Sequence, residues 1–173
     1  MLSIRARYGK SALTGVRRAV NAYRAEVPSR SNWDDLVTLA EVDPVHLQSV
    51  LGNRQTTGGV TKAEAIVTAA RRLADVGVRH AADVDRSSGD QRRAYCGTRG
   101  LGPVTWAYFT MLLGEDGVKA DTLVSRFVAS AIGHDPGHER VEALVTQAAH
   151  QLDIGANALD HSIWRYMSTP RSD

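Results

Sequence analysis

Two features of this chain could do chemistry together. Arg99-Gly100-Leu101-Gly102-Pro103-Val104-Thr105 sets two glycines and a proline ahead of an apolar run, and Asp121 follows 19 residues after Gly102. Glycine permits positive φ and a close approach by another backbone. The first N–H groups of a helix point outward unpaired, at the positive end of its dipole. A phosphate binds such a terminus without needing a lysine. A single carboxylate near it meets the positive charge that develops on a reacting sugar. The pairing, more than either part, points to a protein that grips a DNA phosphate and acts on a nucleotide. Each part also has a plain structural use. A turn between two core helices needs similar glycines, and Asp is a preferred helix N-cap.

These groups need elements to hold them, and composition limits the choice. The chain has 173 residues, 43% of them apolar, enough for one folded domain without staples. The net charge of +2 is too small to imply nucleic acid by itself. Its distribution says more. Within residues 1–30, Arg5, Arg7, Lys10, Arg17, Arg18, Arg24 and Arg30 face one acid, Glu26. That segment carries +6 and the remainder −4, the pattern of a phosphate-binding arm, a targeting peptide or a solvated helix face. Cys96 is the only cysteine, which excludes an intramolecular disulfide and any four-cysteine cluster. No apolar run approaches the roughly 20 residues of a membrane span. The chain therefore reads as soluble and cytoplasmic, nucleoid-associated if bacterial.

Apolar residues recur at helical spacing nearly throughout. Ala12, Val16, Ala19, Val20 and Tyr23 form a first stripe, ending at Val27-Pro28-Ser29. Ser31 or Asn32 is expected to cap a second helix through Leu36, Leu39 and Ala40, and Asp43-Pro44 starts a third carrying Val45, Leu47, Val50 and Leu51. After the polar loop Asn53–Gly59, helices are expected over about 61–74, near Arg93–Tyr95, from Pro103 to Leu112, and from Asp121 to Ile132. In that last helix Leu123, Val124, Phe127, Val128 and Ile132 are the expected core. Two more follow, at about 139–152 and 156–167. No segment alternates as a strand does. The expected fold is all-α, one multi-helix bundle over 1–173 with a basic helical segment at 1–30.

Gly100-Leu101-Gly102-Pro103-Val104-Thr105, with Ala120-Asp121-Thr122-Leu123-Val124-Ser125-Arg126, resembles the helix–hairpin–helix and Asp signature of the endonuclease III-like DNA glycosylase superfamily. Thr61-Lys62-Ala63-Glu64-Ala65-Ile66 and Leu159-Asp160-His161-Ser162-Ile163-Trp164 resemble further segments of that family. The likeness covers about 33–168, with the helix–hairpin–helix at 91–113. It implies that backbone groups around Arg99, Gly100, Leu101, Gly102, Val104 and Thr105 hold a phosphate of double-stranded DNA. It also implies that Asp121 serves base excision on a flipped nucleotide, stabilising oxocarbenium character and orienting or deprotonating water.

Three departures narrow that implication. Val104 stands where bifunctional members carry a lysine nucleophile, so monofunctional hydrolysis without lyase chemistry is expected. Only about 32 residues precede the likeness, so the base-recognition half reads as abbreviated, to be completed by a protein partner or by self-association. Gln55-Thr56-Thr57 lies too near the turn to align with the family's Gln-Thr motif; it is a coincidence or a substitute for the wedge. No cofactor is expected, and His134-x-x-x-His138 spans Pro136 and Gly137, a poor zinc spacing. The expectation is a monofunctional DNA glycosylase acting through Asp121. The alternatives are a non-catalytic DNA-binding or scaffold protein that has lost the base pocket, or a toxin, phage or defence-system derivative acting on an unusual base.

Overall fold

A computed structural model describes residues 1–4, 6, 11–27, 29 and 33–169. Among these, the protein is all-α in character, with nine α-helices, 61% helix and one two-stranded ribbon. None of the helices is long and apolar enough to cross a membrane. The chain forms two compact units, Met1–Pro103 and Val104–Asp173.

The first unit holds α1 (Gly15–Glu26), α2 (Leu36–Glu41), α3 (Pro44–Leu51), the ribbon β1 (Thr56–Thr57) and β2 (Val60–Thr61), α4 (Lys62–Ala74) and α5 (Gly89–Cys96). Helix α4 is its centre, with α2, α3 and α5 packed against it and α1 against α3. Ala19, Leu47, Leu51, Ala63 and Val67 form a buried cluster under Leu2, Tyr23 and Leu39. The helix starts follow from short polar caps. Asp43 accepts the His46 N–H at 3.1 Å with Pro44 in the first turn, Thr61 accepts that of Glu64, and Ser88 that of Gln91.

Two expectations need correction here. The cap of α2 is Asp35, which accepts the N–H groups of Val37 and Thr38; Ser31 and Asn32 lie outside the described residues. Val45, carried on α3 as expected, is 75% exposed, because α3 turns its Leu47 and Leu51 face inward. The loop after α3 contains an antiparallel ribbon, Thr56 opposite Thr61 and Thr57 opposite Val60. Gly58 (φ +57°) and Gly59 (φ +84°) supply the two positive φ angles that a two-residue hairpin turn demands. Strands of two residues are too short to leave an alternating pattern in the sequence.

The second unit holds α6 (Pro103–Leu112), which starts at the boundary, then α7 (Thr122–Ile132), α8 (His138–Gln151) and α9 (Ala156–Ser168). Helices α7, α8 and α9 pack on one another around Val118, Val124, Val128, Val141, Val145 and Ile163. Phe127 and Leu144 pack at the edge of this core. Ile132, expected inside, is exposed at the C-terminal end of α7, next to the left-handed Gly133.

Candidate functional site

In the first unit, α5 is followed by the six-residue connection 97–102 that leads to α6. Gly100 there has φ +77°, whereas Gly102 adopts no positive φ. The two glycines therefore differ in purpose. A Cβ on Gly100 would lie 2.4 Å from Thr57 Oγ1 and 2.6 Å from Gly58 N, so the position excludes any side chain. A Cβ on Gly102 would meet no heavy atom within 4 Å. Arg99 and Gly100 are exposed, Gly102, Val104 and Thr105 half-buried, and Leu101 is buried. Leu101 also donates its N–H to Thr98 O at 3.1 Å, which removes that group from any phosphate-binding set. Beside it, Thr98 Oγ1 is buried with no hydrogen-bond partner among the described residues.

The ribbon supports this turn. Thr57 Oγ1 donates to Gly100 O at 3.0 Å, across 43 residues of sequence. Thr57 and Gly58 thus join the turn, and the Gln55-Thr56-Thr57 segment is its direct neighbour. The ribbon is anchored in turn by Lys62, whose side chain is almost wholly buried. Its ammonium donates to Gln55 Oε1 at 2.7 Å, Ile4 O at 2.5 Å and Leu2 O at 3.0 Å. A cation at the first position of a helix opposes the dipole. Three acceptors offset that cost, and burial pushes the Lys62 pKa down.

Of the basic residues within 1–30, Arg17, Arg18 and Arg24 are among the described residues. Arg5, Arg7, Lys10 and Arg30 lie outside the described residues. Arg18 donates to the carbonyls of Leu51 and Gly52, capping the C-terminal end of α3, and Arg24 lies 4.8 Å from the Trp33 ring centroid. Arg17 is exposed.

In the second unit Asp121 is the N-cap of α7. Its Oδ1 accepts the N–H groups of Leu123 and Val124 at 2.9 and 3.2 Å, and its Oδ2 lies 3.6 Å from Lys119 Nζ. About a fifth of the Asp121 side chain is accessible. The Lys119 ammonium also lies 4.3 Å from the Tyr108 ring centroid, within cation–π range. Behind the pair is Asp160 on α9, 7% exposed, which accepts the Lys119 backbone N–H at 3.0 Å. Burial, with the nearby Asp121 charge adding to it, raises the Asp160 pKa to about 6 against the opposing pull of that N–H. A reciprocal contact lies one turn earlier. Asp116 accepts the N–H groups of Ala156 and Asn157 at the start of α9, at 3.1 and 2.8 Å. Two carboxylates, one on each side, fasten the 116–121 segment to α9.

Residues 1–168 match the family described as Domain of unknown function (DUF8548). The chain belongs to that family. No curated protein and no solved structure matches it.

In this family member, then, the candidate residues fall into two clusters. One joins Thr57 and Gly58 to Thr98–Gly102, and the other joins Lys119 and Asp121 to Asp160 and Tyr108. Of the expected site residues, Asp121 keeps its carboxylate accessible, while Leu101 is interior. Sequence reasoning gave Asp160 no role beyond its place in the Leu159–Trp164 likeness, although a signal was present. It falls on the apolar stripe Ala156, Ile163 and Met167 of α9, where a charged residue has no ordinary reason to be. Gly58 had a weaker one, a double glycine where a single glycine serves most turns.

Proposed function

We propose that this protein binds double-stranded DNA through the 98–105 turn, which resembles a helix–hairpin–helix, and hydrolyses the N-glycosidic bond of a flipped, damaged or modified base. Asp121 is the group that faces the developing oxocarbenium charge and orients or deprotonates the attacking water. One observation carries the reading. Asp121 is held in a fixed direction by two backbone N–H groups through one oxygen, with the other 3.6 Å from Lys119 Nζ and about a fifth of the side chain accessible. A pre-oriented carboxylate of that kind does not need to reorganise when charge appears. Val104 offers no amine, so the proposed reaction is hydrolysis without a Schiff base there.

The turn supports the DNA half of the reading. Side chains are excluded at Gly100, and Gly102 leaves its Cα face clear for a close backbone approach. Exposed Arg99 adds a guanidinium for a phosphate.

A second reading, a DNA-binding protein without catalysis, draws on the same carboxylate. Both Asp121 oxygens have partners, as expected of a helix cap in an ion pair. The test challenges wild type and Asp121→Asn with duplexes carrying uracil, alkylpurines or oxidised bases, then cleaves abasic sites with alkali. Base release by wild type and its loss in the variant supports excision. Release that survives in Asp121→Asn removes the aspartate from the mechanism. Salt-sensitive duplex binding with no release on any substrate favours the second reading.

A further inference from the structure

The Asp121 cluster contains a second carboxylate, the buried Asp160. Residues 118–120 arrive at α7 without regular secondary structure, and Lys119 must present two groups in different directions. Its ammonium reaches Asp121 Oδ2 and the Tyr108 ring, while its backbone N–H is directed inward. An inward N–H needs an acceptor, since leaving one buried and unmet costs more than the bond itself contributes. Asp160 supplies it from α9, where its flanks on the same helical face are Ala156 and Ile163. An asparagine would accept the same bond at lower desolvation cost. The ionisable form is therefore the feature that needs explaining.

We infer that Asp160 is the positioning residue of the Lys119–Asp121 pair: its buried carboxylate holds the backbone N–H of Lys119, from which the lysine side chain departs, and adds its charge to the field in which the pair sits. The groups facing it are Lys119 and Asp121 from the preceding segment and His161 from its own helix. With Asp160 neutral, the Lys119–Asp121 pair stands as one cation and one anion. With Asp160 ionised, a second negative charge lies within electrostatic reach of both. Burial raises the Asp160 pKa to about 6, so its charge, and with it the field on the pair, is expected to change near that pH. Asp160 touches no reacting atom in this scheme. Its weight in catalysis rests on the base-excision reading, whereas its hold on Lys119 does not.

The test uses the full chain as wild type, Asp160→Asn and Asp160→Ala, followed by backbone-amide NMR from about pH 5 to 7. The Lys119 amide of wild type should titrate with a midpoint near 6, and that of Asp160→Asn should not. Hydrogen exchange at Lys119 should quicken roughly fivefold in Asp160→Ala, the factor expected for one ordinary hydrogen bond, and stay near wild type in Asp160→Asn. A flat Lys119 amide in wild type, or unchanged exchange in Asp160→Ala, overturns the inference. If Asp160→Ala does not fold, the comparison of wild type with Asp160→Asn decides alone. Where base release is detectable, its pH profile should lose an inflection near 6 in Asp160→Asn; an unaltered profile counts against the role. Should wild type release no base, excision fails while the amide titration still judges Asp160.

Discussion

Gly58 and Gly100 face each other so closely that neither has room for a side chain. A Cβ on Gly58 would lie 2.3 Å from Gly100 N, and both residues occupy the left-handed region, at φ +57° and +77°. The ribbon and the turn are therefore one object, joined through backbone rather than through side chains that could yield.

The two turn glycines should separate cleanly on mutation. Gly100→Ala should destabilise the first unit by about 1–3 kcal/mol, from positive φ and the clash with Thr57 and Gly58. Gly102→Val should fold with stability close to wild type, since nothing lies within 4 Å of its Cβ, yet bind duplex DNA more weakly if a phosphate approaches that face. Urea melts measure the first effect and fluorescence anisotropy at fixed salt the second. Unaltered affinity in folded Gly102→Val would remove the turn from DNA binding.

Asp121→Asn should keep the helix cap, because Asn serves that position as well as Asp, and change stability by less than about 1 kcal/mol. Asp121→Ala should cost about 1 kcal/mol, having lost the acceptor for Leu123 and Val124. If excision occurs, both lose it. Equal loss of activity with unequal loss of stability distinguishes chemistry from capping.

Lys62→Met keeps the aliphatic stem and removes the ammonium, stranding Gln55 Oε1 and the carbonyls of Leu2 and Ile4. The expected loss is about 1–3 kcal/mol. Limited proteolysis should also cut nearer the N-terminus, because the ammonium links the Leu2 and Ile4 carbonyls to Gln55. An unchanged cleavage pattern would argue that other contacts retain that segment.

Two aspartates should give opposite pH dependences. Arg79 beside Asp35, together with the Val37 and Thr38 N–H groups, holds its pKa at about 2. Folded below unfolded, its contribution is complete above the unfolded value near 4 and vanishes as pH falls through about 2. Asp160 is raised to about 6, so the folded state holds its proton longer and stability declines as pH rises from near 4 to 6. Chemical denaturation across that range should show Asp35→Asn losing the acid limb. Asp160→Asn should gain on wild type above pH 6, by up to about 3 kcal/mol, and match it near pH 4. A pH-independent difference in either variant would contradict the assigned environment.

Much of the architecture was legible because its causes are local. Asp43-Pro44, Thr61, Ser88 and Asp121 cap helices through groups two or three residues away, and the apolar periodicity of α4 and α7 carries over such short spans without help. The all-α class, most helix limits, and the turn and the aspartate as places to look all follow from that. What failed to show depends on partners distant in sequence. Thr57 meets Gly100 across 43 residues, Lys62 meets Leu2 across 60, and Lys119 meets Asp160 across 41. No periodicity encodes such pairs. Chain folding alone turned a lysine and a carboxylate at helix starts into a buried anchor and a capped ion pair. It also made Leu101 interior, and gave a carboxylate on an apolar stripe the task of holding Lys119.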